Sequence, residues 1–495
     1  MNQLFKKKPM AVLLAESAGG GNELKRTLSA GALVALGIGA IIGAGLFVRT
    51  AAASAQSAGP SVTIGFIIAS IGCALAGLCY AELSSSIPIS GSAYTYTYAT
   101  MGELMAWIIG WDLVLEYAVG AATVGIAWSE YLNNLLVEVV GWKAIAYEWC
   151  HSPFQQSLPD ANGVVRNGII NLQALFIVSA LSLLLIRGTS ESAFVNGIIV
   201  IVKVAIVILI IVLGWQFINP ENHTPYIPEN STYTDRGGVE HHFGGIMGIL
   251  GAAGTVFFAF IGFDAVSTAA QETKNPKTAM PIGILGSLAV CTILYILFAH
   301  VLTGLADVEF FRTEGGEASV VAAINNFMPG YKWLGSAVTI AILAGFSSVI
   351  LVMLLGQSRV FYSMANDGLL PKMFADVHPK FKTPYKANLF IMVLVGLFAA
   401  FVPGDIVGDM TSIGTLFAFM LVCAAVIILR KTNPELPRQF KTPLVPFVPI
   451  LGILVCAAMI FGLGWLNWLR LAGWLALGFV IYFAYSKQHS KLRNK

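Results

Sequence analysis

The chain has 495 residues, of which 57% are hydrophobic and 11% are charged, with a mean hydropathy of +0.76 and a formal net charge of +3. Soluble domains carry about 25% charged residues, so this composition excludes an ordinary water-soluble protein. The 50 glycines and 20 prolines follow no repeat, which excludes a collagen-like chain, and the small net charge argues against a nucleic-acid-binding protein.

The chain begins with a basic stretch, FKKKPMAVLLAES, that imitates a signal peptide. Its apolar core covers only residues 10–15, which is shorter than the roughly 7 to 15 residues that such a region needs. We therefore predict that residues 1–29 form a cytoplasmic tail. Six cysteines without a C-x-x-C pair and seven histidines without ligand spacing predict no metal site and no cofactor.

Apolar runs long enough to cross a bilayer follow the tail along the rest of the chain. A helix needs about 20 mostly apolar residues to span the hydrocarbon core. Twelve runs meet this condition, and residues 317–333 are predicted as a re-entrant or surface helix. The predicted spans are 30–55, 61–86, 95–135, 169–187, 191–218, 245–271, 280–304, 334–365, 387–403, 409–430, 445–464 and 466–486.

The orientation follows from the lysines and arginines. With the N-terminus in the cytoplasm, 21 of the 29 basic residues fall inside and seven fall outside, Arg49 among the seven. This bias predicts an even number of spans and two cytoplasmic termini, the second formed by residues 487–495. We expect a multi-pass protein of the cell membrane.

Two of the predicted spans concentrate glycine. The first contains GIGAIIGAGLF, and the sixth contains GAAGTVFFAFIGFDAVST. A membrane helix must satisfy its own backbone groups, so such a cluster indicates either close packing of helices or an interrupted helix. The two spans occupy corresponding positions if residues 30–218 and 219–430 are inverted repeats, a pattern typical of transporters that bind substrate at mid-membrane. Residues 431–486 then form spans 11 and 12.

An interrupted helix exposes N–H groups at one break and C=O groups at the other, with helix dipoles of matching sign. A zwitterion needs both signs within a few ångströms. We therefore predict that the first break binds a carboxylate and the second an ammonium. The predicted backbone contacts are Ile41, Ile42, Gly43, Ala44, Gly45, Phe258, Ala259, Phe260 and Ile261.

Several longer motifs run in order along most of the chain, from about residue 25 to 445. They are GAIIGAGLF, YAELSSSIPISGSAY, FFAFIGFDAVSTAAQETKNPKTAMPIGI, SRVFYSMANDGLLP and LRKTNPELPRQFKTP. With them the chain resembles the amino acid, polyamine and organocation (APC) superfamily, and most of all the bacterial members of its cationic amino acid transporter (CAT) family. The resemblance implies an all-α, LeuT-like fold of twelve transmembrane helices, with a five-plus-five inverted repeat, two peripheral helices and alternating access.

Lys203 lies in the middle of the fifth span, in IIVIVKVAIVILIIV. A lysine at that depth is a functional hypothesis by default, and apolar surroundings favour loss of its proton. The resemblance to proton-coupled relatives implies that it replaces a cation that bridges helices 1 and 8. The acceptors would be carbonyls of residues 39–43 and the hydroxyls of Ser347 and Ser348. The alternative is a permanent ion pair with Glu116 or Asp264.

Three acidic residues also lie in apolar runs. Asp264 either caps the second half of span 6 or relays protons, and the two hypotheses stay open. Glu116 and Asp112 are four residues apart and share a helix face, where they either hold a proton together or form salt bridges. We include Glu116 and Asp264 with Lys203, Ser347 and Ser348 as the proton-coupling residues.

The substrate side chain is expected to contact Phe258, Phe260, Val349 and Met353, which predicts a small apolar pocket. We therefore expect a proton-coupled symporter of small neutral L-amino acids such as alanine. The alternatives are transport of cationic amino acids, proton-independent exchange, and a non-transporting amino acid sensor. No catalytic motif indicates an enzyme and no repeated loop indicates a channel filter. The predicted partners are the substrate and the bilayer, and a small single-span partner subunit stays open.

Overall fold

The structure is a computed structural model that describes residues 4–10, 28–87, 92–157, 164–187, 193–234, 240–270, 273–313, 319–381 and 383–493. About three quarters of these residues are helical, which agrees with the predicted helical class. The helices are α1 (Ala30–Ile41), α2 (Thr50–Ala53), α3 (Val62–Ser86), α4 (Ser92–Thr100), α5 (Glu103–Leu113), α6 (Gly120–Asn134), α7 (Leu172–Ile186), α8 (Ala193–Gly214), α9 (Gly245–Phe257), α10 (Ala265–Thr268), α11 (Pro276–Leu305), α12 (Val308–Thr313), α13 (Ser319–Phe327), α14 (Lys332–Asn366), α15 (Tyr385–Phe401), α16 (Gly404–Thr432), α17 (Phe447–Gly462), α18 (Trp465–Ile481) and α19 (Lys487–His489).

Short turns of other helix types join several of these elements. Five π-helical turns occupy Gly45–Arg49, Ser54–Ala58, Val114–Val119, Leu135–Val139 and Tyr482–Ser486 in the described chain. Strands β1 (Ser231–Thr234) and β2 (Glu240–Phe243) form an antiparallel hairpin, in which Ser231 pairs with Phe243 and Thr234 with Glu240.

Eight helical stretches of the described residues are long and apolar enough to cross a membrane, and four shorter apolar helices accompany them. The chain is therefore a multi-pass membrane protein. The stretch Gly45–Ser86 contains both the second half of the first predicted span and the whole second span. The count of twelve crossings and the inverted repeat remain predictions.

The third predicted span, residues 95–135, is not one helix. The chain turns at Gly102, which has a φ of +95°, and thereby separates α4 from α5. A Cβ at this glycine would collide with the backbone of Phe5, so only glycine fits there. The segment 317–333, predicted as a separate short helix, contains α13.

The helices pack in two main groups. Helix α11 packs against α1 and α3, and α9 packs against α3 as well. In the second group α14 packs against α6 and α7 packs against α15, while α8 contacts α1, α11 and α14. The two glycine-rich segments lie where the groups meet.

Candidate functional site

The first glycine-rich segment is interrupted at Ile42 and Gly43. Helix α1 ends at Ile41, and Ile42 is extended, with φ −73° and ψ 102°. The next helical turn begins at Gly45. In the described chain the N–H of Gly43 donates no backbone hydrogen bond, whereas its carbonyl accepts from Leu46 N–H at 3.2 Å. The break therefore presents backbone N–H groups at the start of the second half-helix.

The second glycine-rich segment is interrupted between Phe257 and Ala265. A 3₁₀ turn, Phe258–Phe260, follows α9, and Ile261 is extended with ψ 137°. Gly262 has a φ of +111°, and a Cβ there would lie 2.9 Å from the carbonyl oxygen of Ala40. This position needs glycine for its conformation and for the close approach of the first break.

A single side chain bridges the two breaks. The hydroxyl of Tyr295 on α11 lies 2.9 Å from the carbonyl oxygen of Ile41 and 3.0 Å from that of Ala259. Gly45 packs directly against the backbone of Ala259, so any larger residue would separate the two segments. Our sequence reasoning missed Tyr295, because one tyrosine in an apolar run carries no periodic signal.

The hydrogen bonds leave some of the predicted backbone contacts available. The carbonyl of Phe258 accepts from Ile261 N–H at 3.2 Å, and that of Ala259 accepts from Tyr295. No hydrogen bond to the carbonyls of Phe260 and Ile261 is present among the described residues. These two carbonyls are thus the predicted acceptors that remain for an ammonium.

A cavity of about 10 Å³ lies beside the breaks, with room for about one water molecule. No carboxylate lines it. Of the predicted residues it contains Ile261, Val349 and Met353, whereas the ring of Phe260 packs on Phe66 and Tyr295 instead. The lining residues are Ala40, Tyr117, Ile261, Gly262, Ala265, Val349, Val352 and Met353.

Lys203 of α8 points to the first break and is 4% exposed. Its amine donates to the carbonyl oxygen of Gly39 at 2.9 Å and to that of Ile42 at 3.0 Å. These carbonyls belong to the C-terminal end of α1, where the helix dipole places partial negative charge. The ammonium therefore lies where a cation is stabilised by both hydrogen bonds and the dipole.

Helix α14 contributes the other side of the lysine site. A Cβ at Gly345 would lie 2.5 Å from Cε of Lys203, so this glycine provides the space for the lysine stem. The hydroxyl of Ser347 donates to the carbonyl of Leu343 at 2.8 Å, and Ser348 is buried. The role of Gly345 was not predicted, since it depends on which helix faces Lys203.

The predicted carboxylates meet on the other side of the breaks. Tyr117 donates a hydrogen bond to Asp264, and the carboxyl group of Glu116 lies close enough to that of Asp264 for their charges to interact. Neither oxygen of Glu116 accepts a hydrogen bond from the residues that the structure describes. Two adjacent buried carboxyl groups repel each other unless one carries a proton.

A buried ion pair lies beyond the first break. Arg49, which we counted with the charges of the outer loops, is only 3% exposed and pairs with Asp409 on α16. The other oxygen of Asp409 accepts from the side-chain amide of Asn467 at 3.2 Å. Charged side chains are rarely buried without a partner. The ion pair and the hydrogen bond from Asn467 connect the second half of the first segment to α16 and α18.

Comparison with known proteins gives consistent findings. The sequence pattern of a family described as "Amino acid permease" matches residues 28–483. The chain is 44% identical to the branched-chain amino acid permease BcaP of Bacillus subtilis (strain 168), and this match covers 99% of each chain. It is 40% identical to the methylthioribose transporter of the same strain, and that match covers 100% of each chain. It is 32% identical to the vacuolar cationic amino acid transporter 4 of Arabidopsis thaliana, over 88% of this chain and 68% of that one. These relatives are named as permeases or transporters and not as enzymes.

Proposed function

Because the chain belongs to the amino acid permease family, we propose that it is a proton-coupled symporter of neutral aliphatic L-amino acids that works by alternating access. The observation that carries the proposal is the pair of hydrogen bonds from Lys203 to the carbonyls of Gly39 and Ile42. The proton is the coupling ion, and the protein lies in the cell membrane with both termini in the cytoplasm.

The coupling follows from what the ammonium does. When it is charged, Lys203 fixes the end of α1 through two of its three donors. Loss of the proton removes the positive charge that the helix end stabilises, so α1 is released from α8. A proton therefore favours one arrangement of the breaks over the other, which is the requirement for coupling a ligand to a conformational change.

The breaks suit a zwitterion with an apolar side chain. N–H groups begin at Gly43, and the carbonyls of Phe260 and Ile261 stay available. The cavity beside them is apolar and has no carboxylate to pair with a basic side chain. This favours neutral over cationic substrates, and two relatives are named for branched-chain amino acids. We propose alanine, valine, leucine and isoleucine as the substrate class.

Substrate binding requires movement. A cavity of about 10 Å³ holds one water molecule and no amino acid, so helices on at least one side must separate. The backbone of each break is not held in a continuous helix. It can therefore act as a hinge at which α1 or α10 tilts while the other half of the same segment stays in place. This is consistent with alternating access of the site to the two sides of the membrane.

The test is uptake of labelled amino acids into proteoliposomes with and without an imposed pH gradient. We expect accumulation only with the acidic side outside, and Lys203→Ala should abolish it while Lys332→Ala, an exposed lysine at the start of α14, leaves it unchanged. If uptake by the unmodified protein is the same with and without the pH gradient, the chain is a proton-independent exchanger. Binding without any uptake or exchange would make it a sensor.

The substrate class needs its own test, because a relative that is 40% identical is named a methylthioribose transporter. Hydroxyl groups also bond to free N–H and C=O groups, so such a sugar is the second candidate substrate. Competition against labelled leucine should be strong with valine, isoleucine or alanine, and weak with arginine and methylthioribose. Strong competition by arginine or methylthioribose contradicts the neutral aliphatic class without affecting the coupling.

A further inference from the structure

The two ends of the chain meet on one face of the protein. The N-terminal segment, residues 4–8, lies beside the turn between α4 and α5. Lys8 N–H donates to the carbonyl of Tyr98 at 3.2 Å, and Glu103 N–H donates to that of Lys6 at 3.1 Å. Gly102, with its positive φ, is the glycine that lets this segment approach.

The C-terminal segment binds the same place. Glu103 is fully buried, and its carboxylate accepts from Arg493 Nε at 2.8 Å, from the hydroxyl of Tyr482 at 2.9 Å and from Ser490. The amine of Lys6 donates to the carbonyl of Leu492 at 2.5 Å. The two segments therefore hold each other as well as α5.

Asp367, which follows α14, joins both chain ends to α4. One carboxylate oxygen pairs with the amine of Lys8 at 3.0 Å, and the other accepts from the hydroxyl of Tyr94 at 2.8 Å. The backbone carbonyl of Asp367 accepts from Lys491 N–H at 3.1 Å. We name this set, Lys8, Tyr94, Asp367 and Lys491, the tail knot.

Helix α4 extends from the tail knot to the second broken segment. Tyr96 lies on this helix two residues beyond Tyr94, and α4 contacts α10, the short helix that follows the break. Its ring meets the edge of Tyr80 at 6.5 Å, and Tyr80 meets Phe263 at 5.7 Å between ring centroids. Phe263 immediately precedes Asp264 in the break. A packed path thus joins the chain ends to the inner half of the site.

We propose that the tail knot is a latch that holds the site closed on the face carrying both chain ends. While the amine of Lys8 is paired with Asp367, the hydrogen bond from Tyr94 to Asp367 holds α4 in position. Helix α4 in turn holds α10 and the break against α3. Release of Lys8 loosens α4 and so favours opening on that face. The inference goes beyond the proposed function, since it concerns a regulatory contact far from the lysine site, but its transport readout rests on that function.

The ion pair is suited to regulation because it is not completely buried. The Lys8 and Asp367 side chains are 14% and 17% exposed. Ions in solution therefore screen the pair, and its strength depends on ionic strength. Anything that competes for the amine of Lys8 acts in the same direction as salt.

The experiment compares Lys8→Gln with Lys7→Gln in the full-length protein. Lys7 is the adjacent lysine, exposed and of the same charge, so it is a matched control. Hydrogen–deuterium exchange of residues 92–100 and 263–270 is the first readout, because it needs no transport. We expect Lys8→Gln to increase the rate of deuterium exchange in both segments and Lys7→Gln to leave it unchanged. Tyr94→Phe, which keeps the ion pair but cuts its link to α4, should reproduce the effect on 92–100 and 263–270.

The second readout is the initial rate of amino acid exchange in proteoliposomes. An ion pair that solvent reaches contributes a change of about two- to fivefold, and we expect a rise of that size for Lys8→Gln. We also expect the rate of the unmodified protein to rise with salt and that of Lys8→Gln to be independent of salt. Faster exchange of deuterium confined to residues 4–10 and 482–493 overturns the latch. Failure of transport in every variant, with the deuterium result as expected, counts against the proposed function alone.

Discussion

The amine of Lys203 lies 2.9 Å from the carbonyl oxygen of Gly39, and this hydrogen bond joins the middle of α8 to the end of α1. The same amine reaches Ile42, the first residue outside the helix. One side chain therefore satisfies two carbonyl groups that the interruption would otherwise leave unpaired in a membrane. The stability of the break and the charge of the lysine depend on each other.

Gly345→Ala tests the space around this lysine. The added methyl group would lie 2.5 Å from Cε of Lys203, so the end of this side chain must shift and its hydrogen bonds to Gly39 and Ile42 are disturbed. We expect a loss of about 1–3 kcal/mol in stability and loss of gradient-driven uptake. Gly197→Ala on α8 is the control, because nothing lies within 4 Å of its Cβ. Equal uptake by both variants would contradict the proposed contact.

Tyr295→Phe removes only the hydroxyl that bridges Ile41 and Ala259. A buried carbonyl that loses its donor costs about 1–3 kcal/mol, so the melting temperature in detergent should fall. Since the bridge holds the two breaks together, substrate-induced stabilisation should fall with it. The prediction fails if the variant melts and binds leucine like the unmodified protein.

Glu116→Gln tests the shared proton. If a proton lies between Glu116 and Asp264, a neutral amide of the same shape replaces it at little cost, and stability changes by less than about 0.5 kcal/mol. Uptake driven by the pH gradient should decrease while exchange of substrate persists. A large increase in stability would instead indicate that both carboxylates are charged in the unmodified protein.

Arg49 and Asp409 are suited to a double-mutant cycle. Removal of one partner of a buried ion pair leaves an uncompensated charge and costs about 3–5 kcal/mol. Arg49→Met and Asp409→Asn should each lower the melting temperature strongly, and the double variant should lose less than the sum. Additive losses would show that the two side chains do not stabilise each other.

Cys150 gives a prediction that depends on pH. It lies in the loop after the 3₁₀ turn Tyr147–Trp149, and burial raises the pKa of its thiol to about 11. A raised pKa keeps the thiol protonated at neutral pH, so alkylation should be negligible at pH 7 and rise about tenfold per pH unit until pH approaches 11. Rapid labelling at pH 7, measured by mass spectrometry of the folded protein, would contradict this.

Local patterns predicted the helical class and the positions of the two candidate interruptions. Apolar runs locate the helices because a bilayer imposes a minimum length on each span. Glycine clusters indicate candidate breaks because glycine weakens a helix, and a membrane helix needs all its backbone hydrogen bonds unless the segment is buried in protein. The third span was predicted as one helix, since its run of apolar residues continues through Met101 and Gly102. The turn at Gly102 depends on the approach of Phe5, which no periodicity of that run records.

The sequence by itself determined that the chain is a helical membrane protein, which two segments concentrate glycine, and that a lysine stands in the middle of an apolar run. These properties arise from residues that are neighbours along the chain. Only the tertiary structure decided that Tyr295 joins the two breaks, that Gly345 makes room for Lys203, and that Arg49 is buried against Asp409. Each of these contacts joins helices far apart in sequence, and their facing is set by the packing of whole helices and not by any local pattern.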